Sequence, residues 1–311
     1  MELLNKYKNG NCTVEIYSDG TRIIEWPDGE EMKLDFPLNI DIRLMTKCDF
    51  GYNPTTGKSV CSFCHESART DGKECDYNAL YEQLKDLPAG MELAVGLNDI
   101  SSSNLIEFLY KCRDTGWIVN GTINQGALAK KSNIDILEQL IKFNALKGVG
   151  ISYRPRMPKI PQAVLNNPNT VIHVIAGIDD FEGVKSLANQ GVKKILVLGE
   201  KDFGFNKGNV DLTSESHKEW KARIMELGKV FDIISFDNLA LEQLDIKSKL
   251  PDSTWQEFYQ GEHSFYINAV DQYFAPSSRS NLLKKGFGET NLFDYFKMLE
   301  SQLINVRDIS H

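Results

Sequence analysis

The sequence predicts an α/β fold in which six or seven β/α units follow one another and build a parallel sheet, open or rolled into a barrel. Three observations predict it. From about residue 39, short apolar runs alternate with segments of helical periodicity. The alternation continues to about residue 240 with no low-complexity segment and no other repeat. The first run is followed by cysteines, not by the glycine-rich turn that opens a dinucleotide-binding unit.

Residues 1–38 read as a separate β element, a hairpin. Thr13–Tyr17 alternates, Ser18-Asp-Gly-Thr21 makes a turn, and Arg22–Trp26 continues as the partner strand. The first strand of the main unit is Ile40–Met45, and Asp76 caps a helix over 76–87. Strands follow at 92–96, 117–123, 146–153, 170–176, 194–199 and 232–236. Helices stand between them at 104–115, 133–143, 160–165, 180–189 and 215–229. Residues 39–245 therefore form the β/α unit, and 246–311 a mixed extension with a polar turn at Ala275-Pro-Ser-Ser-Arg279. The N-terminal hairpin and the C-terminal extension are expected to close the open side of the sheet and select the substrate.

The chain has 35 basic and 43 acidic residues, a net charge of −8, and no basic stripe, which argues against a nucleic acid polymer as partner. A small molecule, nucleoside or nucleotide needs only a few cations in one pocket. No apolar run reaches the about 18 residues a membrane span needs. The N-terminus turns polar too early for a signal-peptide core, so the expected location is the cytoplasm.

In that compartment clustered cysteines point to metal or redox chemistry. Of six cysteines, Cys48, Cys61 and Cys64 fall in one loop after the first strand, spaced Cys-x12-Cys-x2-Cys. Loops after the strands form the active face of β/α barrels. Three thiolates suit a cubane cluster that keeps one iron open for another ligand. With His65 the same residues spell a Cys₃His zinc set, so a non-catalytic, zinc-stapled β/α binding protein is the alternative reading. Cys61-Ser-Phe-Cys64-His65 also matches the haem-attachment pattern, which generally requires export. Cys12, Cys75 and Cys112 share no ligand spacing and read as plain thiols.

The cysteine loop resembles that of the radical S-adenosylmethionine (SAM) superfamily, whose usual motif is Cys-x3-Cys-x2-Cys with an aromatic residue before the last cysteine. Phe63 takes that aromatic place. The first gap is lengthened, and Asn53-Pro-Thr-Thr-Gly57 looks like an inserted turn. The run Cys64-His-Glu-Ser67 is similar to phage-associated members. The resemblance covers roughly residues 38–240 and implies a partial (β/α)6 TIM-like barrel, a [4Fe–4S] cluster on Cys48, Cys61 and Cys64, and SAM along the strand ends. It implies that Asn98 or Asp99 contacts the SAM amino group, and that Ser152, Tyr153 and Arg154 hold its ribose and carboxylate. His173-Val-Ile175-Ala-Gly177-Ile-Asp-Asp180 follows the spacing of the family's Gly-x-Ile-x-Gly-x-x-Glu, marking Ile175 and Gly177. Val197 and Leu198 would lie against the adenine. The implied activity is reductive SAM cleavage to a 5′-deoxyadenosyl radical that takes hydrogen from a small-molecule substrate. A flavodoxin or ferredoxin-type electron donor is implied with it.

Plainer roles stand beside these. Asn98 and Asp99 suit capping of the helix that begins near 101–103. Arg154 precedes Pro155 and is extended, so a surface ion pair is open to it. Gly177 suits a turn. Lys201 and Lys207 lie in a polar loop from which either can face substrate, and Asn124 and Gln125 are polar candidates beyond the third strand.

Overall fold

In a computed structural model of the chain, the described residues are 2–155, 157–258, 263–278, 280 and 282–307. Three antiparallel strands, β1 (Leu3–Asn9), β2 (Cys12–Tyr17) and β3 (Arg22–Glu25), form a small sheet in that order. Next come β4 (Asn39–Arg43) and the short hairpin of β5 (Lys47–Asn53) with β6 (Lys58–Ser59). The β/α series continues with α1 (Tyr77–Leu84), β7 (Glu92–Gly96), α2 (Ser103–Thr115), β8 (Ile118–Asn124), α3 (Lys131–Lys142) and β9 (Gly148–Ser152). It proceeds through α4 (Gln162–Leu165), β10 (Thr170–Ile175), α5 (Phe181–Ser186), β11 (Lys194–Leu198), α6 (Glu215–Arg223), β12 (Ile233–Phe236) and α7 (Asn238–Gln243). The chain ends with α8 (Asp252–Phe258), β13 (Ser264–Asn268), β14 (Tyr273–Ala275), β15 (Lys285–Gly286) and α9 (Leu292–Arg307).

The fold is mixed α/β with a large parallel sheet. Its order is β12-β11-β10-β9-β8-β7-β4-β13-β14-β15, parallel from β12 to β13 and antiparallel at the last two strands. Period-two alternation decides its faces. Ile40 and Ile42 of β4, Leu93 and Val95 of β7, and Ile172 and Val174 of β10 are buried in the main core. The residues between them face the concave side. Helix starts carry the expected caps: Asp76, Ser102, Asp180, Ser214 and Asp237 each accept from amides of the first turn. Gly116 closes α2 at φ +89°, where a side chain is strained.

The large parallel sheet is compatible with the expected partial barrel and is not closed: among the described residues β12 and β15 remain as sheet edges, and the C-terminal region adds β13 in parallel beside β4. An aromatic cluster of Phe265, Phe274 and Tyr295 holds that addition, with centroids 5.2–6.0 Å apart. The N-terminal element has three strands, and it does not close the open side. It sits at the strand-start end of the sheet, away from the strand ends. Arg22 pairs with Glu92, the first residue of β7, and the Asn169 amide donates to the Ser18 carbonyl at 2.9 Å just before β10. Tyr7 stacks on Phe36, 6.0 Å away, so this sheet is fixed by its own apolar face as well.

Arg22 is largely shielded from water, and burial lowers its pKa. Arg22→Met leaves Glu92 without its cation, and the expected loss is roughly 1–3 kcal/mol in urea unfolding. An unchanged midpoint would show that the N-terminal sheet is held by apolar packing alone.

Candidate functional site

A cavity of about 370 Å³ opens at the strand ends. Register builds it: Asp41 is level with Ala94, Gly96 with Thr122, Asn124 with Ser152, and Ile175 with Leu198. Each of these residues lines the cavity. One face of six consecutive strands in the sheet therefore supplies its floor and far wall.

The cysteine loop supplies the near wall. Its lengthened first gap folds as the β5–β6 hairpin, turned by the Asn53 side chain, which accepts from the amides of Thr55 and Thr56 at 2.9 and 3.3 Å. The hairpin returns the chain so that the Cys61 amide donates to the Phe50 carbonyl, and the Cys64 amide to the Cys61 carbonyl. Cys48, Cys61 and Cys64 thus line one cavity, all three as free thiols. Burial pushes the Cys48 thiol up to about 11 and raises that of Cys64, while backbone amides offset the rise: Phe50 at Cys48, Ala68 and Glu66 at Cys64. The Asn124 amide stands 3.6 Å from the Cys61 sulfur. N–H donors aimed at sulfur suit thiolates bound to iron, where such hydrogen bonds tune the cluster. Among the described residues no three His, Cys, Asp or Glu side chains are gathered as a set for a single metal ion. A zinc ion needs its donors converged on one centre, at about 2.3 Å for sulfur. A cubane takes each thiolate on a different iron and so accepts a wider triangle.

The other predicted residues divide. Phe63, Asn98, Ser152, Arg154, Ile175 and Leu198 line the same cavity. The Arg154 guanidinium lies over the Phe63 ring, 4.5 Å from its centroid, and its backbone amide donates to the Gln125 side chain at 2.9 Å. Asp99 and Gly177 lie outside the lining. Asp99 accepts from Lys47 at 2.7 Å and from the Ser101 hydroxyl at 2.6 Å; burial works to raise its carboxyl, and these two donors outweigh it. Gly177 is a turn glycine at φ +88°, packed close to His217.

Sequence reasoning named His65 as a zinc donor and Lys201 as a loop cation but missed Arg43, Glu66 and Tyr266, with which they form a polar group on the side of the cavity made by β4, β13 and the loop after β11. Arg43 pairs with Glu66 at 2.9 Å, His65 stands 3.2 Å from Glu66, and the Tyr266 hydroxyl donates to Glu66 at 3.5 Å. Burial works to raise Glu66, yet the hydrogen bond from His65 and the nearby cations hold it below the usual range. The Lys201 ammonium is 3.3 Å from the outer nitrogen of His65. The alternation of β4 carried the signal: with Ile40 and Ile42 buried, Asp41 and Arg43 had to face the concave side. The loop after β11 also props the cysteine loop, because the Phe205 amide donates to the Cys64 carbonyl at 3.0 Å and Phe205 meets Tyr52.

Beneath the β10 end, buried Asp179 accepts from the Ile175 amide at 2.7 Å, and burial raises its carboxyl to about 6. A folded value above the unfolded one gives stability that is complete below about pH 4 and lost as pH rises through about 6. Asp179→Asn is therefore expected to gain on the parent protein by roughly 1–3 kcal/mol between pH 5 and pH 8. Urea unfolding at both values measures it, and parallel curves at the two pH values would refute it.

No helix among the described residues is long and apolar enough to cross a membrane. No family model matches the chain, and no curated protein matches it in sequence. Solved structures do match in fold. The S-adenosylmethionine-bound structure of SuiB from Streptococcus suis aligns at TM-score 0.53 and 16% identity, over 84% of this chain and 65% of SuiB. A second SuiB structure gives 0.51 and 15%, over 85% and 66%. The chain thus spans less than two thirds of the SuiB chain. BtrN in complex with AdoMet and 2-DOIA aligns at TM-score 0.27 and 14% identity, over 86% of this chain and 83% of BtrN, a score too low to bear on the fold. At these identities the likeness is one of fold alone.

Proposed function

We propose that this chain is a radical SAM enzyme acting on a small-molecule substrate of nucleoside or nucleotide type. The observation that carries the reading is the convergence of Cys48, Cys61 and Cys64 with the strand-end wall on one cavity. The SAM-bound SuiB structure, similar in fold, supports it. Cys48, Cys61 and Cys64 would hold a [4Fe–4S] cluster, which with SAM supplies reductive C–S cleavage and radical hydrogen abstraction.

The chain's own residues do the rest. Arg154, stacked on Phe63, offers a guanidinium for the SAM carboxylate. Asn98 and Ser152 offer hydrogen bonds to its amino and ribose groups, and Ile175 and Leu198 an apolar surface for adenine. The wall of Ala94, Gly96 and Ile175 places no O–H, N–H or S–H side chain beside the reacting centre. An external one-electron donor of flavodoxin or ferredoxin type is part of the proposal.

Anaerobic reconstitution with iron and sulfide, a visible spectrum and a SAM-cleavage assay with dithionite test it. A brown protein that releases 5′-deoxyadenosine is the expected result. A colourless protein that binds one zinc and never cleaves SAM would leave a stapled binding protein instead.

A further inference from the structure

Asp41 stands in the middle of β4 and lines the cavity, where its side chain is accessible although strands flank it on both sides. Its level neighbours on the flanking strands are Ala94 and Tyr266. Alanine has no donor, and the Tyr266 hydroxyl is turned to Glu66. Among the described residues no hydrogen bond or ion pair reaches the Asp41 carboxyl. An accessible carboxylate on a cavity floor that no protein donor occupies is open to N–H donors of a ligand. Arg43 cannot serve, since it is committed to Glu66.

On the same cavity Lys201 has an imidazole nitrogen at 3.3 Å and, among the described residues, no carboxylate within ion-pair distance, Asp41 included. Its charge still reaches Asp41 and works against the rise that burial imposes there. Two groups of opposite sign therefore face the space left beside the SAM wall, each short of a partner.

We propose that Asp41 and Lys201 recognise an amino-pyrimidinone edge on the substrate, the edge that guanine presents. The ring N–H and exocyclic amine donate to the Asp41 carboxylate, and the adjoining carbonyl oxygen accepts from the Lys201 ammonium. Uracil offers Asp41 a single N–H and turns its second carbonyl toward the other carboxylate oxygen, and adenine has no carbonyl on that edge, so guanine matches the pair better than either. The assignment rests on the proposed function for the position of SAM and extends it to the class of substrate.

Calorimetric titration of guanosine, adenosine and uridine into the full chain, reconstituted anaerobically and saturated with SAM, tests it. Guanosine is expected to bind about tenfold or more tightly than either of the others. Asp41→Asn and Lys201→Met are each expected to weaken guanosine by about tenfold or more, with far-UV circular dichroism unchanged. Guanosine binding no tighter than uridine, or indifferent to both substitutions, overturns the assignment; if a variant misfolds, the wild-type comparison decides alone. SAM cleavage is read separately. Cleavage without guanosine preference removes this inference and keeps the enzyme, whereas Asp41-dependent guanosine binding without cleavage does the reverse.

Discussion

On the proposed function, Cys61→Ser is expected to bring SAM cleavage down to background and to strip the reconstituted protein of most of its iron, while the chain stays folded. Cys61 lines the cavity beside Asn124 and is not part of the main apolar core. A serine there keeps the size of the side chain but withdraws a thiolate that cluster iron requires. Cys12, Cys75 and Cys112 are embedded in that core, and burial pushes the thiols of Cys75 and Cys112 up to about 12. Cys112→Ala is the matched comparison: it costs some stability and leaves iron content and colour as in the parent. Iron and sulfide analysis of both variants, with circular dichroism, separates the cases. Equal iron in Cys61→Ser and the parent would remove Cys61 from the cluster site.

Gly204→Ala is expected to cost about 2–4 kcal/mol and to lower cluster loading with it. Gly204 holds φ +60°, and a Cβ there would stand 2.2 Å from the His65 carbonyl oxygen and 2.8 Å from that of Cys64. Those atoms belong to the backbone of the cysteine loop, so relief requires the loop or its prop to move. The Phe205 amide, which bonds the Cys64 carbonyl, moves with it. Iron content after reconstitution, plotted against the urea midpoint, measures both effects. Full iron loading in a protein of parental stability would show that the two loops are mechanically independent.

Much of this was legible before the structure. The parallel strands of residues 39–236 and the helices between them follow from local periodicity, and the cysteine loop stands out because three of the six cysteines fall within it. What was illegible depended on distant partners. Ser264–Asn268 is a short apolar run that becomes a strand only because β4 offers its free edge. Leu3–Asn9 carries lysines at alternate positions and reads as polar until Tyr7 and Asn9 turn inward. Asp99 illustrates a different limit: from spacing alone, a ligand contact and an ion pair with Lys47, 52 positions away, look alike. Asp41 was readable from alternation, but its missing partner was not, since that is a property of both neighbouring strands.

The pairing of β4 with β13 also governs how the chain reaches its native state. Asn39 and Ser264 are level with each other although more than two hundred positions separate them. Closing so long a segment is entropically steep, and non-local strand pairing of this kind is slow. During synthesis the β/α units can form in order, while the outer edge of β4 waits for the last part of the chain to emerge. Until then its N–H and C=O groups form an open template, a known hazard for intermolecular strand pairing. Chains interrupted before residue 264 should therefore accumulate as aggregates, even though every wall of the cavity except Tyr266 and Ser278 would already have been made.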